Sequence, residues 1–278
     1  MSQSHFPPRN LYWCLLLVLL VFGLLAAGCS AVSMPEATIQ ITDAGLTTPA
    51  EIEDGIVRFN FEVGEGHTPI MTRLNEGVTM EQFMEAFSEN PDSAVSLVTL
   101  LGGGGLVTDT SQEVVYDLQP GTHVVIDFAG EQPPTASFQV AAKDDREANP
   151  PEADVQVDLV DFNFALPAEI PAGPQTWEIE NKGQQWHEMV IVKLNPGVTV
   201  EDIMAAMAAE TEGGESPEEP PPFEDVAFWA PMSPGERAWA SLDLEPGTYT
   251  ALCFLPDFAT GMSHLEHGMV RTLTVTES

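Results

Sequence analysis

The sequence predicts a mainly β protein of two tandem Greek-key β-sandwiches, each with an inserted short helix. Three observations carry that expectation. Short alternating or β-rich runs are bounded throughout by Pro, Gly and Asn, the pattern of antiparallel strands and tight turns. Roughly 250 residues follow the N-terminal apolar segment, enough for two domains. The chain also repeats itself. His67-Thr-Pro-Ile-Met-Thr-Arg-Leu-Asn-Glu-Gly-Val-Thr79 matches His187-Glu-Met-Val-Ile-Val-Lys-Leu-Asn-Pro-Gly-Val-Thr199, and Leu118-Gln-Pro-Gly-Thr-His123 matches Leu244-Glu-Pro-Gly-Thr-Tyr249. Repeats this far apart are globular domains, not turns of a solenoid.

Taken in order, residues 1–28 read as a signal peptide: Arg9, an apolar run from Leu11 to Ala27, then Ala26-Ala27-Gly28-Cys29-Ser30 with small residues before a cysteine. The segment resembles a bacterial lipoprotein signal with its lipobox, with Ala26 where that motif usually has Leu. The resemblance implies cleavage before Cys29, lipidation of Cys29 and an extracytoplasmic protein held at the bacterial cell membrane or outer membrane. A plain signal anchor is the alternative, since the run is about the minimum length of a spanning helix. The first domain is expected over 36–142, a charged, proline-bearing linker over 143–153 and the second domain over 154–278.

In the second repeat, strands are expected near Val155 to Phe164, Thr176 to Glu180, Glu188 to Leu194, Ala238 to Leu244, Thr248 to Cys253 and Val270 to Val275. Ser233-Pro-Gly235 and Glu245-Pro-Gly247 place Pro and Gly at the centre of tight turns, Gly accepting positive φ. Thr79 and Thr199 cap one helix each, with acidic residues in the first turns. Met204 and Met207 on the second helix are expected in the core. Gly102 to Gly105 in the first repeat is replaced in the second by an acidic, proline-rich loop at 212–222.

A formal charge of -34 with 44% hydrophobic residues describes a foldable chain with a strongly acidic surface. Nucleic acid and anionic lipid heads are excluded as partners on charge. A positively patched protein would be steered toward it, and the same acidity also serves solubility. Once residues 1–28 are removed, the cysteines are Cys29 and Cys253. With Cys29 lipidated, Cys253 has no disulfide partner, and an unpaired thiol in an oxidising compartment survives by burial or by metal binding.

Cys253-Phe-Leu-Pro-Asp-Phe-Ala-Thr-Gly-Met-Ser-His264-Leu-Glu-His267-Gly-Met269 sets a thiol, two imidazoles and two thioethers in one loop between two expected strands. With one upstream histidine, Cys, His and Met form the ligand list of a mononuclear electron-transfer copper site. The repeat points to His187, which follows Asn181 and Trp186 and enters a strand.

At these residues the chain resembles the cupredoxins, the plastocyanin-like blue-copper proteins. Their first His ligand lies six positions after an Asn and enters a strand. Their second motif is Cys, a gap, His, four residues and Met before the last strand, matched here by Cys253, His264 and Met269. The gap of ten residues is longer than in most small members. The resemblance implies one type 1 copper held by His187, Cys253, His264 and Met269 and an electron carrier rather than an enzyme, toward which the acidic charge would steer a basic redox partner. Trp186, Phe254 and Phe258 would exclude water or form a contact patch, unless they are simply core. His267 could replace His264, and Glu188 and Glu266 leave open a zinc site with carboxylate ligands.

In the first repeat His67 aligns with His187, but Asp127 stands in place of Cys253 and the short Glu131-Gln-Pro-Pro134 replaces the long loop. That domain is expected to be a metal-free copy that spaces or docks the second. His67 and His123 would be structural or surface residues, or would form a weak hard-metal site with Asp127. A multicopper enzyme would need further histidines, commonly as His-x-His pairs, and none occurs. A non-redox binding or structural lipoprotein without a functional copper site and a copper-handling protein stay open as alternatives.

Overall fold

The structure, a computed structural model, describes residues 33–90, 94–128, 133–143, 148–211 and 222–277. The expected signal peptide, Cys29, part of the linker and most of the acidic loop lie outside the described residues. Among the described residues no helix is long and apolar enough to cross a membrane.

The first repeat runs β1 (Glu36–Thr42), β2 (Gly45–Thr47), β3 (Glu51–Glu53), β4 (Gly55–Val63), β5 (Pro69–Leu74), α1 (Met80–Glu89), β6 (Val98–Leu100), β7 (Gly104–Leu106), β8 (Ser111–Leu118), β9 (Gly121–Asp127) and β10 (Thr135–Ala141). The second runs β11 (Val155–Val160), β12 (Asn163–Ala165), β13 (Glu169–Pro171), β14 (Gly173–Asn181), β15 (His187–Leu194), α2 (Val200–Thr211), β16 (Phe223–Met232), β17 (Arg237–Leu244), β18 (Gly247–Leu252) and β19 (Val270–Thr276). The protein is mainly β, with one short α-helix in each repeat, as the sequence predicts.

Both helices begin where their threonines stop the chain. Thr79 Oγ1 accepts from the Gln82 amide while the Gln82 side chain accepts from the Thr79 amide, and Thr199 and Asp202 exchange the same pair of bonds. Gly235 takes φ 81°, the positive angle its Pro-Gly turn calls for, whereas the Glu245-Pro-Gly247 turn closes without one. Met204 packs partly buried against Val190, Val192 and Ile203, and the Met207 side chain lies outside the described residues.

The three sheets are not divided as two separate sandwiches would be. One eight-stranded sheet, in the order β12-β11-β14-β17-β8-β4-β1-β2, runs through both repeats, joined where β17 pairs antiparallel with β8. A five-stranded sheet, β3-β10-β9-β5-β6, faces it in the first repeat. In the second, β13-β19-β18-β15-β16 is extended by β7, a strand of the first repeat. Tandem domains are thus fused edge to edge, which satisfies the open strand edges each would otherwise expose.

Gly102 to Gly105 makes the crossing possible. Gly102, Gly103 and Gly104 all have positive φ, and a Cβ on Gly104 would collide with the Phe228 carbonyl oxygen of the neighbouring strand. β16 is the element that composition hides, because it follows an acidic, proline-rich stretch of sequence and carries Pro231. Its Ala227, Trp229, Ala230 and Met232 are nevertheless buried. A cleft of about 960 Å³ opens between the repeats, lined by His67, Gly103 to Gly105, Glu188 and Phe254 among others.

Candidate metal centre

Asn181 ends β14 and is fully buried, so its amide must be bonded internally. Its Nδ2 donates to the carbonyls of Gln185 at 2.8 Å and Met232 at 2.7 Å, and its Oδ1 accepts from the Gly183 amide at 2.9 Å. These bonds set the turn that delivers His187 to the start of β15. Opposite, β18 ends at Leu252 and Cys253 follows as a fully buried free thiol.

The long gap after Cys253 is a compact loop built on two carboxylates. Asp257 accepts from the Ala259 amide and the Thr260 hydroxyl, while its backbone bonds to Met262 and Gly261 close the turn. Gly261 has φ 77°, as a turn before His264 requires. Glu266 Oε2 accepts from the Ser263 amide and hydroxyl. Pro256 bridges to Ser263, and the His264 amide donates to the Leu255 carbonyl at 2.8 Å. The loop therefore doubles back and returns His264 to Cys253.

His187 Nδ1 lies 3.1 Å from His264 Nδ1, which lies 3.4 Å from Cys253 Sγ. These three residues, all buried, are the only group of metal-binding His, Cys, Asp and Glu side chains among the described residues. The outer nitrogens are already used: His187 Nε2 faces Asp161 Oδ1 at 3.0 Å and His264 Nε2 faces Gln185 Oε1 at 3.3 Å. With the ring protons on Nε2, both inner nitrogens present lone pairs to one point beside a sulfur. Two imidazole lone pairs beside a sulfur form a donor set for a cation.

The surroundings set the protonation. Burial pushes the Cys253 thiol up to about 12, assisted by the Glu188 charge and opposed by the backbone amides of Glu188 and Leu255. Burial, then the neighbouring His187, lowers His264 to about 4. Burial also lowers His187, against the pull of Asp161. The imidazoles are neutral at pH 7 and the sulfur holds its proton until a metal displaces it.

Met269 is fully buried beside them: its amide donates to the His264 carbonyl at 2.8 Å and its carbonyl accepts from the Cys253 amide at 3.4 Å. His267 turns away, its Nε2 3.0 Å from Thr260 Oγ1 and 3.3 Å from Asp257 Oδ2. Neither candidate carboxylate joins the group, because Glu266 braces Ser263 and Glu188 Oε1 accepts from the Phe254 amide at 3.0 Å. Trp186 meets Phe258 edge-on at 5.3 Å, and Phe258 is 71% exposed, whereas Phe254 stacks on Phe223. Asp161, Phe162 and Gln185 are the residues sequence reasoning missed. Their one legible signal is Asp-Phe-Asn interrupting an expected strand.

In the first repeat, His67 Nδ1 meets Asp127 Oδ2 at 2.7 Å, so the Cys253 counterpart serves as a partner for the His187 counterpart. His123 is fully buried and stacks on Phe138 at 5.3 Å, its Nδ1 toward the Gly121 carbonyl. His67, His123 and Asp127 are not a metal-binding group among the described residues.

No family model matches the chain, and no curated protein matches it. Solved structures do. The chain is similar to auracyanin B at 24% identity, over 46% of this chain and 93% of that one, with a TM-score of 0.30. It is similar to dithionite-reduced auracyanin from the photosynthetic bacterium Roseiflexus castenholzii at 24% identity, over 44% and 94%, with a TM-score of 0.29. Similarity to a copper nitrite reductase from Nitrosomonas europaea is 9% in identity, spans 88% of this chain and 94% of that one, and has a TM-score of 0.25. All three are distant likenesses.

Proposed function

We propose that the protein is an extracytoplasmic electron carrier with one type 1 copper held by His187, Cys253, His264 and Met269, anchored to the membrane by a lipid on Cys29. The observation that carries the reading is a pair of neutral imidazole Nδ1 atoms 3.1 Å apart, that of His264 3.4 Å from a buried thiol, with both Nε2 atoms bonded outward. Nitrogen and soft sulfur donors in this number suit copper. Copper supplies a one-electron couple when bound. The protein's part would be to hold the two imidazoles and the sulfur in a sheet-bound frame, to exclude water by burial, and to offer the Met269 thioether as a further soft donor.

The loop that carries His264 also exposes Phe258, braced by Trp186, and Met262, 42% exposed. These give an apolar docking face within an acidic surface of net charge -34, suited to a basic redox partner. Addition of Cu(II) to the fully reduced apo-protein tests the reading. An intense visible band and a small copper hyperfine splitting, both abolished in Cys253→Ser, are expected. A wild-type protein that stays colourless overturns it.

A further inference from the structure

The β11–β12 hairpin reaches across to both imidazoles through its two-residue tip, Asp161-Phe162. Phe162 has φ 60°, the one non-glycine residue at positive φ among those described. A residue held there is an outlier that needs support from its surroundings. The turn aims Asp161 Oδ1 at His187 Nε2, 3.0 Å away, and sets the Phe162 ring edge-on to the His264 ring at 5.3 Å. The same Asp161 oxygen accepts from the amides of Gln184 at 2.8 Å and Gln185 at 3.2 Å.

The approach is close enough to dictate a neighbouring residue. A Cβ on Gly183 would collide with Asp161 Oδ1 and lie 2.7 Å from His187 Nε2, so only glycine admits the carboxylate to the ring. Burial pushes the Asp161 carboxyl up, but the bonds from Gln184, His187 and Gln185 outweigh it and hold it below the usual range. Its side chain is 34% exposed, so the charge is partly screened by water.

We propose that Asp161 is a positioning residue for His187: it fixes the ring as the Nε2–H tautomer with Nδ1 turned inward, and its charge favours Cu(II) over Cu(I). The hydrogen-bond partner of an outer imidazole nitrogen sets both tautomer and basicity of the ligand. An anion beside the metal stabilises the more positive oxidation state. The proposal rests on the copper reading above only for its second half.

Two measurements separate this role from that of a mere turn cap. Asp161→Asn keeps an oxygen to accept from the amides and the ring but removes the charge. It is expected to lower the preference for Cu(II) over Cu(I) about tenfold, a rise in potential of about 59 mV. A turn cap alone would leave the potential unmoved, and an unchanged potential overturns the charge role. In the apo-protein, nitrogen NMR is expected to show wild-type His187 as Nε2–H and Asp161→Ala with the Nδ1–H tautomer populated. A wild-type Nδ1–H ring, or no change on Asp161→Ala, overturns the positioning role. A tautomer switch in a protein that never turns blue upholds positioning while removing the copper reading.

Discussion

Metal loading should depend on pH with unit slope, because a single proton stands in its way. The Cys253 thiol, pushed up to about 12, must ionise to bind, whereas His264, lowered to about 4, is already neutral across the working range. At pH 7 the thiol lies about five units below its ionisation, so thiolate formation opposes binding by roughly 7 kcal/mol that the metal–sulfur bond must exceed. Each unit of pH then raises the apparent affinity about tenfold. The sign follows from the proton released: affinity rises with pH through the whole interval between the imidazole and thiol values. An ordinary histidine would steepen the slope already below pH ~6.5; burial lowers both His187 and His264, so any steepening should begin below that value. Competition titrations with Co(II), whose sulfur charge-transfer band reports the thiolate bond, measure it over pH 5 to 8. Affinity independent of pH, or a slope of two already present at pH 7, would refute the protonation states derived from burial.

Asn181→Ala strands the buried Met232 carbonyl and the half-buried Gln185 carbonyl, and should cost about 2 kcal/mol in denaturant unfolding while weakening metal binding. Gly104→Ala forces a side chain against the Phe228 carbonyl at a φ of 155°, and calorimetry of the full chain should show a loss of roughly 3 kcal/mol. His267→Ala should keep the blue band that His264→Ala loses, since only His264 faces Cys253. Phe258→Ala should leave the spectrum intact and slow stopped-flow electron exchange with a basic redox protein, an exchange that added salt should also slow.

What could be read from the sequence was what the backbone enforces locally. The apolar run of β15, the Thr79 cap and the Gly261 turn each follow from chain neighbours, and the duplicated His67 and His187 from the repeat. The pairing of His187 with a loop more than sixty residues away was legible through the family resemblance that Asn181 and the His264-to-Met269 spacing carry. Asp161 and Gln185 were not legible. A carboxylate in a two-residue turn reads as a solvated surface group, and only the tertiary approach of β11 to the β14–β15 turn shows that it faces an imidazole. Strand β16 was missed for a different reason: its Pro231, its two acids and the proline-rich sequence before it argue for a loop, and pairing with β15 overrides them. Fusion of the repeats was hidden because strand-edge pairing has no local pattern. Four consecutive glycines read equally well as a linker.

That fusion bears on the metal centre directly. Met232 pairs with His187 across β15 and β16, and its carbonyl takes one of the Asn181 bonds. Its flanks are held by the first repeat: the Gly102 amide donates to the Pro231 carbonyl at 3.2 Å, and the Ser233 amide donates to the Leu100 carbonyl at 2.9 Å. Ser233 Oγ in turn accepts from the Leu100 amide at 2.9 Å. The first repeat thus clamps the strand against which His187 rests, on the side away from Cys253 and its loop. A one-electron site changes state with least cost when its ligands cannot follow the charge. On the copper reading proposed above, clamping β16 would resist that motion and give the repeat with Asp127 in place of cysteine a mechanical part in a site to which none of its described residues contributes a ligand.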